Sequence, residues 1–561
     1  MARVGLVALA LGCTAMAARA QVVAPPSRTT PQSAAPVEPA APDGIVLPQT
    51  RATTAPAGAE KLQLTVGRVR VEGADPAMAI RIAPLAAALE GQRRTVADLY
   101  KLAARIEALY AQDGQVLTRA AIPPQTLKDG DDVRIVIVEG FVETIDTSRV
   151  PAAVRGAVAR RLAGLLGKKG LRIEEIERRV LLASRLPGVT LESTLVPGEQ
   201  AGGAQLVIEA RHRPLSASLS ASNPLGEEYG HWSFDLQLAA NGVLGAGEQV
   251  YAFASTARDF GLFSGHPRRH IAALGGIVPI GADGLSANLE YLRADTDPEL
   301  PASALAVRGA LDHMSLRLHY PLVLTRRETL NLTGSFEILD ERQTARRFGV
   351  MLSNDKLRFA TFGAEWGSAI SRALTLGGAL QLTQGFDIWG ARDGADAMAS
   401  GVSLSRQGGR PDFTKLDADL SALLRADDAI TFALRVRGQI SVSGALPASA
   451  QFALDAGDAL SGFDLGTLNV DSGFTGRIEA QRRVVANPVT VTPYLFVAAG
   501  RGALSKPTAL EPGTITGWSF GGGLRAAIGG QVSLEAEIAR THAESLIEDE
   551  TKLVASMAVS F

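Results

Sequence analysis

The chain has 561 residues, with 56 Lys and Arg against 58 Asp and Glu, for a net charge of -2. That balance excludes the basic excess a nucleic-acid partner calls for. Although 46% of residues are apolar, no stretch beyond the N-terminal leader has the roughly 18 unbroken apolar residues of a membrane-spanning helix. If this chain crosses a membrane it does so as a closed barrel, the other structure that satisfies every backbone polar group there.

In chain order, Arg3, the apolar run 4–18 and Ala18-Arg19-Ala20 before Gln21 predict a signal peptide over 1–20. The single cysteine, Cys13, lies inside it, so the processed chain has no disulfide and no thiol chemistry. Residues 21–60 are rich in Pro and Ala, as in Ala24-Pro25-Pro26, and read as an extended linker too poor in large apolar residues to order itself.

Residues 61–140 read as one small α+β unit. Period-two alternation predicts a strand over 66–73, helical spacing predicts helices over 77–89 and 95–112, and strands follow over 116–122 and 133–138. Thr95 and Asp98 have capping-box spacing at the start of the second helix. The same β-α-α-β-β order returns over 141–212, with strands at 142–146, 189–195 and 205–210 and helices at 152–166 and 173–184. The basic cluster Arg155, Arg160, Arg161, Lys168, Lys169 and Arg172, followed closely by Glu174, Glu175 and Glu177, reads as a solvated helix face.

From 213 to 561 helical spacing gives way to alternation, as where Phe432, Leu434 and Val436 interleave with Thr431, Arg435 and Arg437. A polar face rich in ionised groups, recurring with no helices to cover a sheet, predicts a transmembrane barrel with lipid outside and water inside. At about 10 residues per strand plus a connection, the segment holds about 16 antiparallel strands. Met557, Val559 and the terminal Phe561 end the chain as outer-membrane barrels end, in an assembly signal. Catalytic constellations are absent or weak. His266 and His270 form the only close histidine pair, with no further ligand at metal spacing. Asp259 and Glu290 read as loop or lumen surface, and Trp232, Trp366, Trp389 and Trp518 as interface anchors or strand packing. No enzyme activity and no cofactor is expected.

These residues resemble the TpsB transporters of two-partner secretion, the outer-membrane exporters of haemolysins and filamentous haemagglutinins. Gly114, Pro123-Pro124-Gln125 and Glu139-Gly140 look like the family's first POTRA domain, and Pro187-Gly188 like its second. Asn241 to Gly247 resembles an early barrel motif and Tyr320-Pro321-Leu322 a later strand start. The resemblance implies α+β periplasmic POTRA domains followed by an all-β barrel, and a lumen loop, the sixth extracellular one, with Leu460-Ser461-Gly462-Phe463 at its tip and Asp471 and Gly473 at its end. Its partners would be a secreted TpsA-like client, outer-membrane lipid and the barrel-assembly machinery, with no nucleic acid.

Two departures stand out. The family's loop arginine is replaced by Ser461, and its wall aspartate, in a Phe-x-Asp-x-Gly pattern read here as Phe496, Ala498 and Gly500, by alanine. Losing both halves of an ion pair can be nearly neutral where losing one is costly, so loop six is expected to plug the lumen under a different latch. The family's N-terminal plug helix is not expected, because the Pro-rich stretch after Gln21 is a poor helix former. POTRA strands 133–138 and 205–210 are the expected client contacts, by strand addition. An insertase of the same superfamily, or a porin or adhesin, are the alternative functions.

Overall fold

The computed structural model describes residues 24–36, 45–46, 55–257, 268–301, 304–455, 459–509, 511–544 and 547–561. The signal peptide with Cys13, the rest of the linker, Asp259 and His266 lie outside them.

The first module packs helices α1 (Pro76–Ala87) and α2 (Val96–Gln112) on a three-stranded sheet. The Thr95 hydroxyl accepts from the Asp98 amide at 3.2 Å and the Asp98 carboxylate accepts from the Thr95 amide at 3.1 Å, closing the capping box. Below the cap, Leu99, Leu102, Ile106 and Tyr110 bury one stripe of α2 against Val133, Ile135 and Ile137. The strand expected over 66–73 is shorter, Val69–Glu72, and a separate strand, Gln63–Thr65, pairs with Arg93–Thr95 in another sheet. They part where Gly67 lies against the 130–131 turn, its amide donating to Asp131 O at 2.9 Å. The strand expected over 116–122 shrinks to Arg119–Ala121, and Leu117 is buried instead in the core of the second module.

The second module places α3 (Ala152–Leu162) and α4 (Ile173–Ser184) on strands Phe141–Arg149, Gly203–His212 and Val189–Pro197. Ile45–Val46 extends this sheet, pairing in parallel with Ser193 and Thr194. Both segments expected to meet a client turn out to be central. Val133–Val138 lies between Val69–Glu72 and Arg119–Ala121, and 205–210 lies between Val189–Pro197 and Phe141–Arg149. Their backbone groups are engaged on both sides, so strand addition there is closed.

Sixteen antiparallel strands then form a closed barrel. The first eight are β1 (Leu215–Ser222), β2 (Ser233–Asn241), β3 (Gln249–Ala257), β4 (Arg269–Pro279), β5 (Ser286–Thr296), β6 (Val307–Leu324), β7 (Glu328–Ala345) and β8 (Val350–Ala369). The rest are β9 (Leu374–Gly385), β10 (Thr414–Arg425), β11 (Ile430–Ser441), β12 (Ser472–Arg482), β13 (Val489–Ala503), β14 (Thr514–Ile528), β15 (Val532–Ala543) and β16 (Ile547–Ser560). β16 closes the ring on β1, with Met557 opposite Ala221 and Val559 opposite Leu219. Outward positions are apolar and uncovered, such as Leu316, Leu318, Phe432, Leu434, Leu495 and Val497, while Glu290, His313, Glu341, Gln439 and Glu537 are buried inside. Apolar outside and charged inside suits lipid, not water, as the surrounding solvent. No described helix is long and apolar enough to cross a membrane, so the strands do the crossing.

The second module is bolted to one rim. Arg178 donates to Pro321 O at 2.7 Å, Arg179 pairs with Asp283 at 2.8 Å, and Arg326 N donates to Glu177 at 3.0 Å. Arg160 and Arg161, read as a solvated face, donate to the carbonyls of Ala246 and Gly281 in the same rim's turns. Those turns end in free carbonyls because strands stop there, and guanidinium donors satisfy them.

Candidate functional site

The connection from β11 to β12, residues 442–471, is the sixth of eight on the rim facing away from the modules, and it folds inward. Its base is pinned by Asp471, which is fully buried and accepts from the amides of Leu446 at 3.1 Å and Ser505 at 2.7 Å. Asp455 stiffens the interior, accepting from Thr467 N at 2.7 Å and Leu468 N at 2.8 Å. At the tip, Leu460 and Phe463 are buried with Phe496, Ala498 and Ala539 of the wall. Gly462 has φ 91°, and a Cβ there would stand 2.7 Å from Thr541 Cγ2, so the turn seats on β15 only without a side chain. Gly473 and Gly500 also sit at close approaches: a Cβ on either would meet Arg501 O at 2.8 Å or Thr475 Cγ2 at 2.9 Å.

Ser461 is held by a residue that sequence reasoning missed. Arg477 of β12 donates to Ser461 Oγ at 2.6 Å, and its other nitrogens reach Glu479 at 2.7 Å and Glu537 at 2.7 Å. Its guanidinium stacks 3.7 Å over the Phe496 ring. Ala498 is the cross-strand partner of Arg477 in the β12–β13 ladder. The wall position opposite Ala498 therefore carries an arginine, and the loop carries a neutral acceptor. Tyr494 donates to Glu535 and Glu537 at 2.8 Å each, and Arg525 donates to Glu479 at 2.8 Å, so both buried carboxylates next to Arg477 are paired again. Such pairing is what makes buried charge tolerable. A second anchor is Lys552 of β16 to Asp464 of the loop, at 2.6 Å. The signal was present in the alternation Arg477-x-Glu479, an ionised pair on the inward face of a strand whose outward residues are Phe474 and Ile478.

Residues 24–36, expected as linker, lie inside the lumen. They form one short 3-10 turn, Pro26–Thr29, and continue extended at Thr30 (φ -111°, ψ 135°). A stretch expected to be too poor in large apolar residues to order itself thus occupies the lumen over 24–36, in a conformation that proline permits. Arg28 donates to Gln451 of loop six at 2.5 Å, and Gly466 packs on Arg28, so the two occupants touch. A cavity of about 1390 Å³ remains beside them, lined in part by Asp417, Asp419, Arg435 and Arg437.

The residues expected to mark the POTRA domains sit at close backbone contacts. The carbonyl of Gly114 accepts from Ile173 N at 2.8 Å, which ties module to module, and Gly140, where the first module ends, lies so close to Leu117 that a Cβ would stand 2.3 Å away. The Gln125 amide, after Pro123 and Pro124, pairs with both backbone groups of Arg134 at 2.9 and 3.0 Å. The Glu139 carbonyl lies against Gly202. After Pro187, the Gly188 carbonyl accepts from Arg213 N at 2.8 Å, at the entry to the barrel. Phe561 extends the barrel seam, exchanging backbone bonds with Ala217 at 2.8 and 3.3 Å. Trp366 lies at the module end of β8, whereas Trp232 and Trp518 lie toward the other rim. Among the described residues no group of three His, Cys, Asp or Glu side chains could hold a metal.

Residues 202–524 match the family model described as haemolysin secretion/activation protein ShlB/FhaC/HecB, and residues 64–140 match the ShlB-type POTRA domain. The chain is 24% identical over 411 residues to the hemolysin transporter protein ShlB of Serratia marcescens, covering 72% of this chain and 70% of that one. It is 21% identical over 290 residues to the heme/hemopexin transporter protein HuxB of Haemophilus influenzae, covering 47% and 51%. Among solved structures, CdiB from Escherichia coli has the same fold, with a TM-score of 0.71, 20% identity and coverage of 91% of this chain and 93% of that one. CdiB from Acinetobacter baumannii follows with a TM-score of 0.61, 15% identity and coverage of 89% and 90%. The chain belongs to the ShlB/FhaC/HecB family of TpsB transporters: it is an outer-membrane secretion pore, not an enzyme, with its POTRA domains in the periplasm.

Proposed function

We propose that this pore exports a TpsA-like partner protein from periplasm to cell surface, with capture at the POTRA domains and passage gated by loop six. The observation that carries this reading is the lumen itself, a polar channel occupied by two pieces of the pore's own chain that meet at Arg28 and Gln451. Neither piece is a barrel strand, so each can leave without opening the wall. Loop six is held by Arg477 to Ser461 and Lys552 to Asp464, and gating is the exchange of those contacts for water and client.

Capture uses a sheet edge: Phe141–Arg149 is the outer strand of its sheet, already bridged at Val142, where Gly167 N donates to Val142 O at 2.9 Å, and an extended client would add beyond that point. The uncovered apolar belt contacts outer-membrane lipid, and Met557, Val559 and Phe561 on the terminal strand serve recognition by the barrel-assembly machinery.

Single-channel conductance of the purified pore in planar bilayers tests the reading. Discrete channels that close when the N-terminal domain of a candidate client is added are expected. A correctly folded, heat-modifiable barrel with no channels in any condition overturns it.

A further inference from the structure

The wall of the lumen holds residues 24–36 mainly by their backbone. Arg269 aims Nε and Nη2 together at Thr29 O, at 3.1 and 2.6 Å. Arg317 donates to Gln32 O at 2.8 Å, Gln237 to Ala34 O at 2.8 Å, and Tyr229 to Ala24 O at 3.3 Å. Amides are met in turn: Ser27 N donates to Glu341 at 2.7 Å and Ala34 N to Glu290 at 2.9 Å. Side chains of the segment contribute less, through the Ser27 and Ser33 hydroxyls and Arg28. Backbone groups are common to every polypeptide, so donors and acceptors placed this way recognise extended chain and not a particular sequence.

The wall groups are positioned before the segment arrives. Arg269 Nη1 is held by the hydroxyls of Ser233 at 3.2 Å and Ser255 at 2.9 Å. Glu290 accepts from Tyr251 at 2.8 Å and Arg317 at 3.1 Å. Arg269, Glu290 and Arg317, on strands β4, β5 and β6, therefore each keep one hydrogen-bonding edge turned to the lumen, whatever occupies it. Positions fixed by wall partners lose little freedom on binding.

We propose that Gln237, Arg269, Glu290, Arg317 and Glu341 form a sequence-tolerant binding track for extended polypeptide, occupied at rest by residues 24–36 and used by the exported chain once that segment leaves. This rests on the export reading and adds the ligand class and the residues. The track gives a passing chain a succession of equivalent hydrogen bonds to exchange, which holds it extended without fixing its sequence.

The test uses the full chain lacking only residues 24–36, in planar bilayers. The probes are a synthetic peptide of residues 24–36, the same composition in scrambled order, and a Gly-Ser-Thr peptide of equal length. All three are expected to block the current. Arg269→Met is expected to shorten every blockade about tenfold, the effect of a lost charged hydrogen bond. Block by the native peptide alone, or dwell times unmoved by Arg269→Met and Arg317→Met, overturns the track while leaving the pore intact; no channels at all overturns the pore reading and the track with it. Should the deletion fail to fold, Arg269→Met and Arg317→Met in the intact chain decide the matter. The track requires more frequent channel opening together with slower client secretion. A wall that serves only to hold a plug gives more opening with secretion equal or faster.

Discussion

Strands β12 to β16 grip loop six by its side chains, whereas β2 to β7 grip residues 24–36 by their main chain. On the first side the contacts are particular: one serine, one aspartate, a glycine that must have no Cβ, and two buried apolar residues. On the second side arginine, glutamate and glutamine meet carbonyls and amides. A side-chain lock fits one key and suits a resident loop. A main-chain grip fits any extended chain and suits a surface that must let occupants change.

The comparison breaks most sharply at Arg477. Arg477→Met leaves Glu479 and Glu537 short of a buried partner and removes the hold on Ser461, costing about 3–5 kcal/mol. Channels are expected to open more often in bilayers, and the heat-modifiable band to unfold at lower temperature; unchanged gating would assign Arg477 to wall stability alone. Next in size is Ser461→Arg, which sets a second guanidinium against Arg477, for a cost of order 2–4 kcal/mol in the lumen. Conductance should rise, and adding Ala498→Asp, which gives the pair a carboxylate, should return it toward the parent value. Failure of the second substitution to compensate would mean that Arg477 and residue 498 do not share a site.

Gly462→Ala forces a Cβ against Thr541 at a positive φ, an expected cost of about 1–3 kcal/mol. The outcome to look for is faster proteolysis within loop six on intact cells, with residues 24–36 still protected if the two grips are independent. Smallest is Thr95→Ala in the first POTRA domain, at about 1 kcal/mol. There the Lys101 ammonium, then the Thr95 amide and hydroxyl, hold the Asp98 carboxyl at about 2 against its ordinary 3.8. A depressed carboxyl stabilises the fold above the unfolded value and loses that contribution as pH falls through about 2. Removing the Thr95 hydroxyl should raise the Asp98 value, read by NMR titration, and speed amide exchange at 97–99 while leaving both luminal grips untouched.

Much of this was legible because it depends on local rules. Period-two alternation in 431–437 and 532–538 marks inward and outward faces before any barrel is seen, and Thr95 with Asp98 marks a helix start. What escaped depends on distance in space. Nothing near Arg477 announces Ser461, 16 residues away, or Glu537, 60 away. The proline-rich start was read as unable to order itself, and alone it lacks the apolar surface to do so; Arg269 and Glu290, 240 and 256 residues further on, supply the order instead. Likewise 133–138 looked like an edge because a strand's neighbours are not written in its own sequence.

The seam between β1 and β16 sets a timetable for making the molecule. Its ladder runs from Ser218 to Ser222 against Ser556 to Ser560, extended at one end by Ala217 with Phe561 and at the other by Asn223, whose side-chain amide donates to Leu553 O at 2.8 Å across 330 residues of chain. Every other strand can zip to the neighbour that precedes it, but β1 must wait with one edge open until the last residues of the chain arrive. Closing so long a loop carries the largest entropy of any contact here, and its return in hydrogen bonds is among the smallest. Ring closure is therefore the contact that spans the most chain, and removing Ser556 to Phe561 would leave β16 zipped to β15 over Ile547 to Ala555 while the seam with β1 stays open.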